Sequence, residues 1–127
     1  MYEDDSAPGG HAGEQADGST PAWFVYCAAP DEATAAAIAD RVVGERLAAC
    51  VNLVGPVQSV YRWEGRVEHA REWILVAKTT PGAFPRLRDR IRALHPYTCP
   101  AIVAMPIAAG WPGFLDWVRD ACAAEPV

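Results

Sequence analysis

Cys27, at the end of a short apolar run, and His95, just before Pro96 and Tyr97, are the side chains best suited by type to hold a metal ion or move a proton. A thiolate suits Cu(I), and an imidazole suits either copper state. A thiol within hydrogen-bond reach of an imidazole could instead act as a nucleophile, provided its pKa were lowered. Each residue also has a plainer role. Free cysteine is among the most buried residue types, and a histidine ending a helix can satisfy the last carbonyls and the dipole. Cys50, Cys99 and Cys122 are widely spaced, with no Cys-x-x-Cys, so neither a zinc knuckle nor a thioredoxin-type motif is present. There is no Gly-x-Ser-x-Gly, no His-Glu-x-x-His and no phosphate-cradling glycine loop. The sequence therefore nominates no catalytic residue.

The elements that must position these groups can be read from periodicity. Trp23 to Cys27 is a continuous β-prone run ended by Pro30, the pattern of a central strand. Asp31 is the expected N-cap of a helix whose stripe is Ala35, Ile38, Ala39, Val42 and Val43, reaching about Ala49 with Gly44 inside it. A long strand from Val51 to Tyr61 follows, with a bulge or bend expected at Gly55-Pro56 because proline cannot donate to the ladder. Glu64-Gly65 predicts a two-residue turn. The returning strand, Arg66 to Lys78, alternates at first and then becomes apolar, passing from a solvated hairpin arm into the core. Phe84, Leu87, Ile91 and Leu94 mark a second helix, starting late because of Pro81 and Pro85 and ended by Pro96. Ala101 to Ile107 predicts a last strand, and Phe114, Trp117, Val118 and Ala121 one side of a C-terminal helix. The order β-α-β-β-α-β plus a helix predicts an α+β, ferredoxin-like split βαβ sandwich with strands one and three central and strands two and four at the edges.

Composition sets further bounds. The 127 residues suffice for one core, so a single domain is expected over residues 22–127. The net charge of -5 resides in the first 21 residues, which carry five carboxylates and no Lys or Arg, leaving 11 acidic and 11 basic residues beyond them. Residues 1–21 are too poor in large apolar side chains to repay ordering and are expected to be a disordered acidic tail. The balanced remainder gives no field for nucleic acid. Arg86, Arg88, Arg90 and Arg92 spread around their helix and read as a solvated face. No apolar stretch approaches the ~20 residues that span a bilayer, and no leader pattern precedes the first strand, so a cytoplasmic location with no membrane partner is expected.

Ala48-Ala49-Cys50-Val51-Asn52-Leu53, Tyr61-Arg62-Trp63-Glu64-Gly65, Lys78-Thr79-Thr80, Leu94-His95-Pro96-Tyr97, Met105-Pro106-Ile107 and Leu115-Asp116-Trp117 occur in this order. Together they make residues 22 to 120 resemble the CutA family of divalent-cation-tolerance proteins. The resemblance implies a homotrimer whose edge strands pair across subunits, a role in the response to metal ions, and no required cofactor, with copper or another divalent cation as the candidate ligand. It also implies an intersubunit cleft on which Tyr61, Trp63, Glu64, Lys78, His95 and Tyr97 converge. In some family members a copper site is proposed from a cysteine at the place of Cys27, a histidine where Leu94 stands and a glutamate where Ala101 stands. Only the cysteine is retained here, so Cys27, with His95 as a substitute, would bind copper weakly. The trimer architecture is also similar to that of PII-type signalling proteins, which makes binding of an unknown small molecule between subunits the alternative expectation.

Overall fold

A computed structural model describes residues 17–124. The chain forms strand β1 (Trp23–Ala29), helix α1 (Glu32–Gly44), strands β2 (Cys50–Trp63) and β3 (Arg66–Thr79), helix α2 (Phe84–Leu94), strand β4 (Ile102–Pro106) and helix α3 (Pro112–Ala121). The fold is α+β, one antiparallel sheet in the order β2-β3-β1-β4 with three helices. β1 and β3 are central and β2 and β4 form the edges, as the crossover rule predicts.

One face of the sheet is covered. Val25, Cys27 and Ala29 of β1 and Leu75 and Ala77 of β3 meet Ala35, Ile38 and Val42 of α1 and Leu87 and Ile91 of α2 in the main core. The other face, made by the alternate residues, is open in the single chain. It presents Tyr26, Val54, Val103 and Met105, the last two 53% exposed.

Local chemistry explains where the elements begin and end. Asp31 caps α1, its carboxylate accepting from the Thr34 N–H at 2.7 Å. That bond is also why its acidity is strengthened. The helix was expected to run to Ala49, yet it stops at Gly44. Arg46 adopts a positive φ of 64°, its N–H donates to the Val43 carbonyl, and Leu47 N–H reaches back to Val42. This is the Schellman arrangement, with arginine where glycine is usual, and it frees Leu47 to Ala49 to enter the core. The hairpin turn is as expected: Glu64 and Gly65 both take positive φ, 51° and 79°.

Helix α3 departs from expectation. Its buried residues are Leu115 and Val118, which join Ala22, Ala49, Ala83 and Cys122 in a second small core. Phe114 and Trp117, expected to line the packed side, are exposed and tilted against one another, with ring centroids 5.7 Å apart. Leu115, not its aromatic neighbours, holds the register, because the groove between Ala22, Ala49 and Ala83 is walled by small residues that a branched chain fills.

The acidic tail expected over residues 1–21 lies largely outside the described residues. Where its end is described, Thr20 donates from its hydroxyl to the Asp116 carboxylate on α3, and Ala22 is buried. Among the described residues no helix is long and apolar enough to cross a membrane.

Candidate functional site

The hairpin β2-β3 carries the chemistry, and a bulge decides which side chains share a face. In the register, Asn52 and Val54 pair with Val76 and Ile74, while Val57, Ser59, Tyr61 and Trp63 pair with Glu72, Ala70, Glu68 and Arg66. Cross-strand partners lie on one face. The irregularity between Val54 and Val57 therefore moves the even-numbered residues of β2 off the open face and brings Tyr61 and Trp63 onto it, the face that also carries Glu72. Gly55 makes this possible: a Cβ there would sit 2.6 Å from Cδ2 of the Trp73 ring.

Those residues line a cleft of about 340 Å³ with Ala28, Tyr97, Thr98, Cys99 and Ala101. Glu72 is its charged group. It is only 8% exposed, and its carboxylate accepts a 2.9 Å hydrogen bond from the Tyr97 hydroxyl. Among the described residues it has no ion-pair partner. Burial, then the bond to Glu72 and the charge it carries, push the Tyr97 phenol up to about 12.

His95 stands behind this wall. As the residue that caps α2 it is buried, with its ring 4.7 Å from that of Tyr97. Nε2 lies 2.7 Å from the Ala28 carbonyl, and Nδ1 accepts from the Tyr97 N–H at 3.1 Å. A carbonyl can only accept, so the proton sits on Nε2. Both ring nitrogens are thus engaged, and the imidazole serves β1 and the following loop rather than the last carbonyls of its helix. Its effect is to hold Tyr97 over Glu72.

Cys27 lies on the opposite face. It is 1% exposed, packed in the main core, and its sulfur is 3.8 Å from the Ala28 carbonyl. Burial, and secondarily the charge of Glu72, push its thiol up to about 12, so it is protonated at neutral pH. The remaining expected cleft residues are dispersed. Glu64 occupies the turn, and Lys78 lies six residues beyond Glu72, about 20 Å along the strand, where its amine donates to Asn52. Among the described residues no three His, Cys, Asp or Glu side chains gather as a metal site would require.

Of the six residues expected in the cleft, Tyr61, Trp63 and Tyr97 line it and His95 supports it. Glu72, Thr98 and Cys99 were not anticipated. One signal pointed to Glu72: it is the last acidic residue before the apolar run of β3, where a carboxylate is the first charge to meet the core.

The sequence pattern of the family described as CutA1 divalent ion tolerance protein matches residues 23–121. The chain is similar to the divalent-cation tolerance protein CutA of Thermus thermophilus, 52% identical over 96 residues, 76% of this chain and 93% of the other. It is 42% identical to the human protein CutA over 81% of this chain and 56% of that one. Among solved structures, a divalent cation tolerance protein of Thermus thermophilus superimposes with a TM-score of 0.79 at 49% identity, covering 80% of this chain and 99% of the other. The periplasmic divalent cation tolerance protein CutA from Archaeoglobus fulgidus gives 0.78 at 40% identity, covering 80% of this chain and 99% of the other.

Proposed function

Because the chain belongs to the CutA1 divalent ion tolerance family, we propose that it acts in the response to divalent metal ions as a homotrimer, built on a ferredoxin-like protomer, with the Glu72–Tyr97 cleft as its ligand site. The observation that carries this reading is the unequal treatment of the two sheet faces. The open face presents Tyr26, Val54, Val103 and Met105 to water, and the edges β2 and β4 have unused backbone groups. A contiguous apolar face with two free edges calls for further copies of the chain. Copies seated there would close over the cleft and complete its walls.

Copper uptake through Cys27 is weak in this reading. The thiol must first lose a proton it holds to about pH 12, and both nitrogens of His95 are already bonded. Leu94 and Ala101 occupy the positions at which the family resemblance would place the other ligands. The cytosol is the proposed compartment.

Two measurements test this. Light scattering should report about three chains per particle, and a stable monomer at micromolar concentration would remove the intersubunit cleft. Titration of Cu(I), Cu(II) and Zn(II) into metal-free protein should give only a small concentration-dependent thermal shift, enlarged in the Leu94→His, Ala101→Glu double variant. A large shift in the unmodified protein that vanishes in Cys27→Ser would replace weak uptake by a genuine cysteine site.

The alternative, a small-molecule sensor of the PII-like kind, is favoured by one feature: the cleft walls are mainly aromatic and apolar rather than rich in metal ligands. Stabilisation by nucleotides or other effectors, absent with metals, would select it.

A further inference from the structure

The Glu72 carboxylate is a negative charge in a sheltered place, with no positive partner among the described residues. Removing a carboxylate from water is costly, and the usual remedy is a paired cation. Here its bond comes from a neutral phenol instead. The cationic side chains on its face of the hairpin are directed elsewhere: Arg66, well exposed, lies 3.8 Å from Glu68, and Lys78 donates to Asn52. Asp31 adds a second, weaker negative influence on the Tyr97 ring.

The walls have a matching character. Tyr61, Trp63 and Tyr97 contribute three aromatic rings to the cleft that holds the carboxylate, and Ala28 and Ala101 add apolar lining. Aromatic faces attract cations through the ring quadrupole, more strongly when water is excluded. No lining residue is Lys, Arg or His. At about 340 Å³ the cleft falls near the lower end of the roughly 300–1,000 Å³ typical of small-molecule sites.

We infer that this cleft binds a small organic cation, an ammonium group carried on an apolar body, with the charge at Glu72 and the body against Tyr61, Trp63 and Tyr97. This deepens the ligand-site reading above and rests on it. An anionic ligand would meet Glu72 with like charge. An inorganic cation would gain from the carboxylate but leave the rings unfilled. The Tyr97 hydroxyl, which donates to Glu72, keeps its oxygen free to accept from the ammonium.

Three probes of one shape separate the alternatives: benzylammonium, benzyl alcohol and benzoate, followed by Trp fluorescence and thermal shift on the full-length assembled protein at constant ionic strength. Benzylammonium should bind about tenfold or more tightly than benzyl alcohol, and benzoate should not bind. In Glu72→Gln the preference for the cation should disappear. Tyr97→Phe, which keeps the charge, should retain it, so the test survives if the first variant folds poorly. Equal binding of the alcohol or tighter binding of benzoate would overturn the cation class while leaving a ligand cleft in place, and an undiminished cation preference in Glu72→Gln would overturn the placing of the charge at Glu72. Potassium or Zn(II) competing as well as benzylammonium would overturn the organic body. If none of the three probes binds, the ligand-site reading falls with the inference, whereas the metal titrations above are unaffected.

Discussion

The two faces of the one sheet treat neighbouring residues in opposite ways. Cys27 and Ala28 are adjacent in sequence, yet Cys27 points into the helix-covered core and Ala28 lines the cleft. On β3, Leu75 is buried among helices, while Glu72 holds a sheltered charge on the other side. The difference teaches that reactivity here follows face rather than residue type. The thiol, chemically the softer and more reactive group, is sealed as a neutral acid. The carboxylate on the opposite face lines the cleft.

The contrast is broken most directly by emptying the covered face. Leu87→Ala should cost about 3 kcal/mol of unfolding free energy, because a fully buried leucine leaves a cavity that α2 cannot close. Val103→Ala on the open face should cost about 0.5 kcal/mol or less in the isolated chain. Denaturant melts at low and high protein concentration compare the two, and a Val103 cost that grows with concentration would show that copies of the chain cover that face.

A smaller loss is expected at the bulge that sorts β2 between faces. Gly55→Ala forces a methyl group into the Trp73 ring and should cost about 2 kcal/mol by overpacking. It should also disturb the fluorescence of Trp63, since the same irregularity sets the face on which that ring lies. A neutral effect on both would mean that Trp73 yields and that the register is held elsewhere.

Alkaline pH separates the faces by titration. Cys27 holds its proton to about 12 against an ordinary value of 9.0, and Tyr97 to about 12 against 10.0. Between about pH 9 and 12 the unfolded chain therefore binds fewer protons than the folded one, and stability falls as pH rises through that window. Below pH 9 neither group contributes a slope. Cys27→Ala should flatten the early part of the fall, measured by urea midpoints from pH 8 to 11. An unchanged slope would assign the alkaline loss to other groups. In the native protein a thiol reagent should label Cys99 first, since it is exposed, and leave Cys27 untouched.

The smallest effect is expected at Arg46, away from both faces. Arg46→Gly relieves a left-handed arginine but removes its 3.3 Å bond to the Ala121 carbonyl. These terms are each about 1 kcal/mol and of opposite sign, so thermal stability should scarcely move. A clear gain would show that the tie between the end of α1 and the end of α3 is worth little.

Much of this architecture was legible in the sequence because it depends on local chemistry. Asp31 before an alanine-rich amphipathic stretch, Glu64-Gly65 between two long strands, and Pro96 after an apolar periodicity each specify backbone conformation within a few residues. The end of α1 differs from the expected run through Gly44 to about Ala49 for an equally local reason: the helix stops at Gly44 because Arg46, a residue type that carries no stop signal, takes the left-handed conformation, held by bonds back to Val42 and Val43. On α3, periodicity could not tell the Phe114 and Trp117 side from the Leu115 side, since both are apolar.

What the sequence by itself determined, then, was the order of elements, the central and edge strands, the family and the approximate place of Tyr61, Trp63 and Tyr97. Only the tertiary structure decided which chemistry they would share. Glu72 is joined to Tyr97 by a bond spanning 25 positions, Cys27 is turned into the core, His95 is occupied on both nitrogens, and Lys78 is left at the far end of its strand. The physical reason is that a strand alternates its faces every residue, so a single bulge at Gly55-Pro56, together with the packing of a helix end against β1, reassigns side chains that no spacing along the chain could pair.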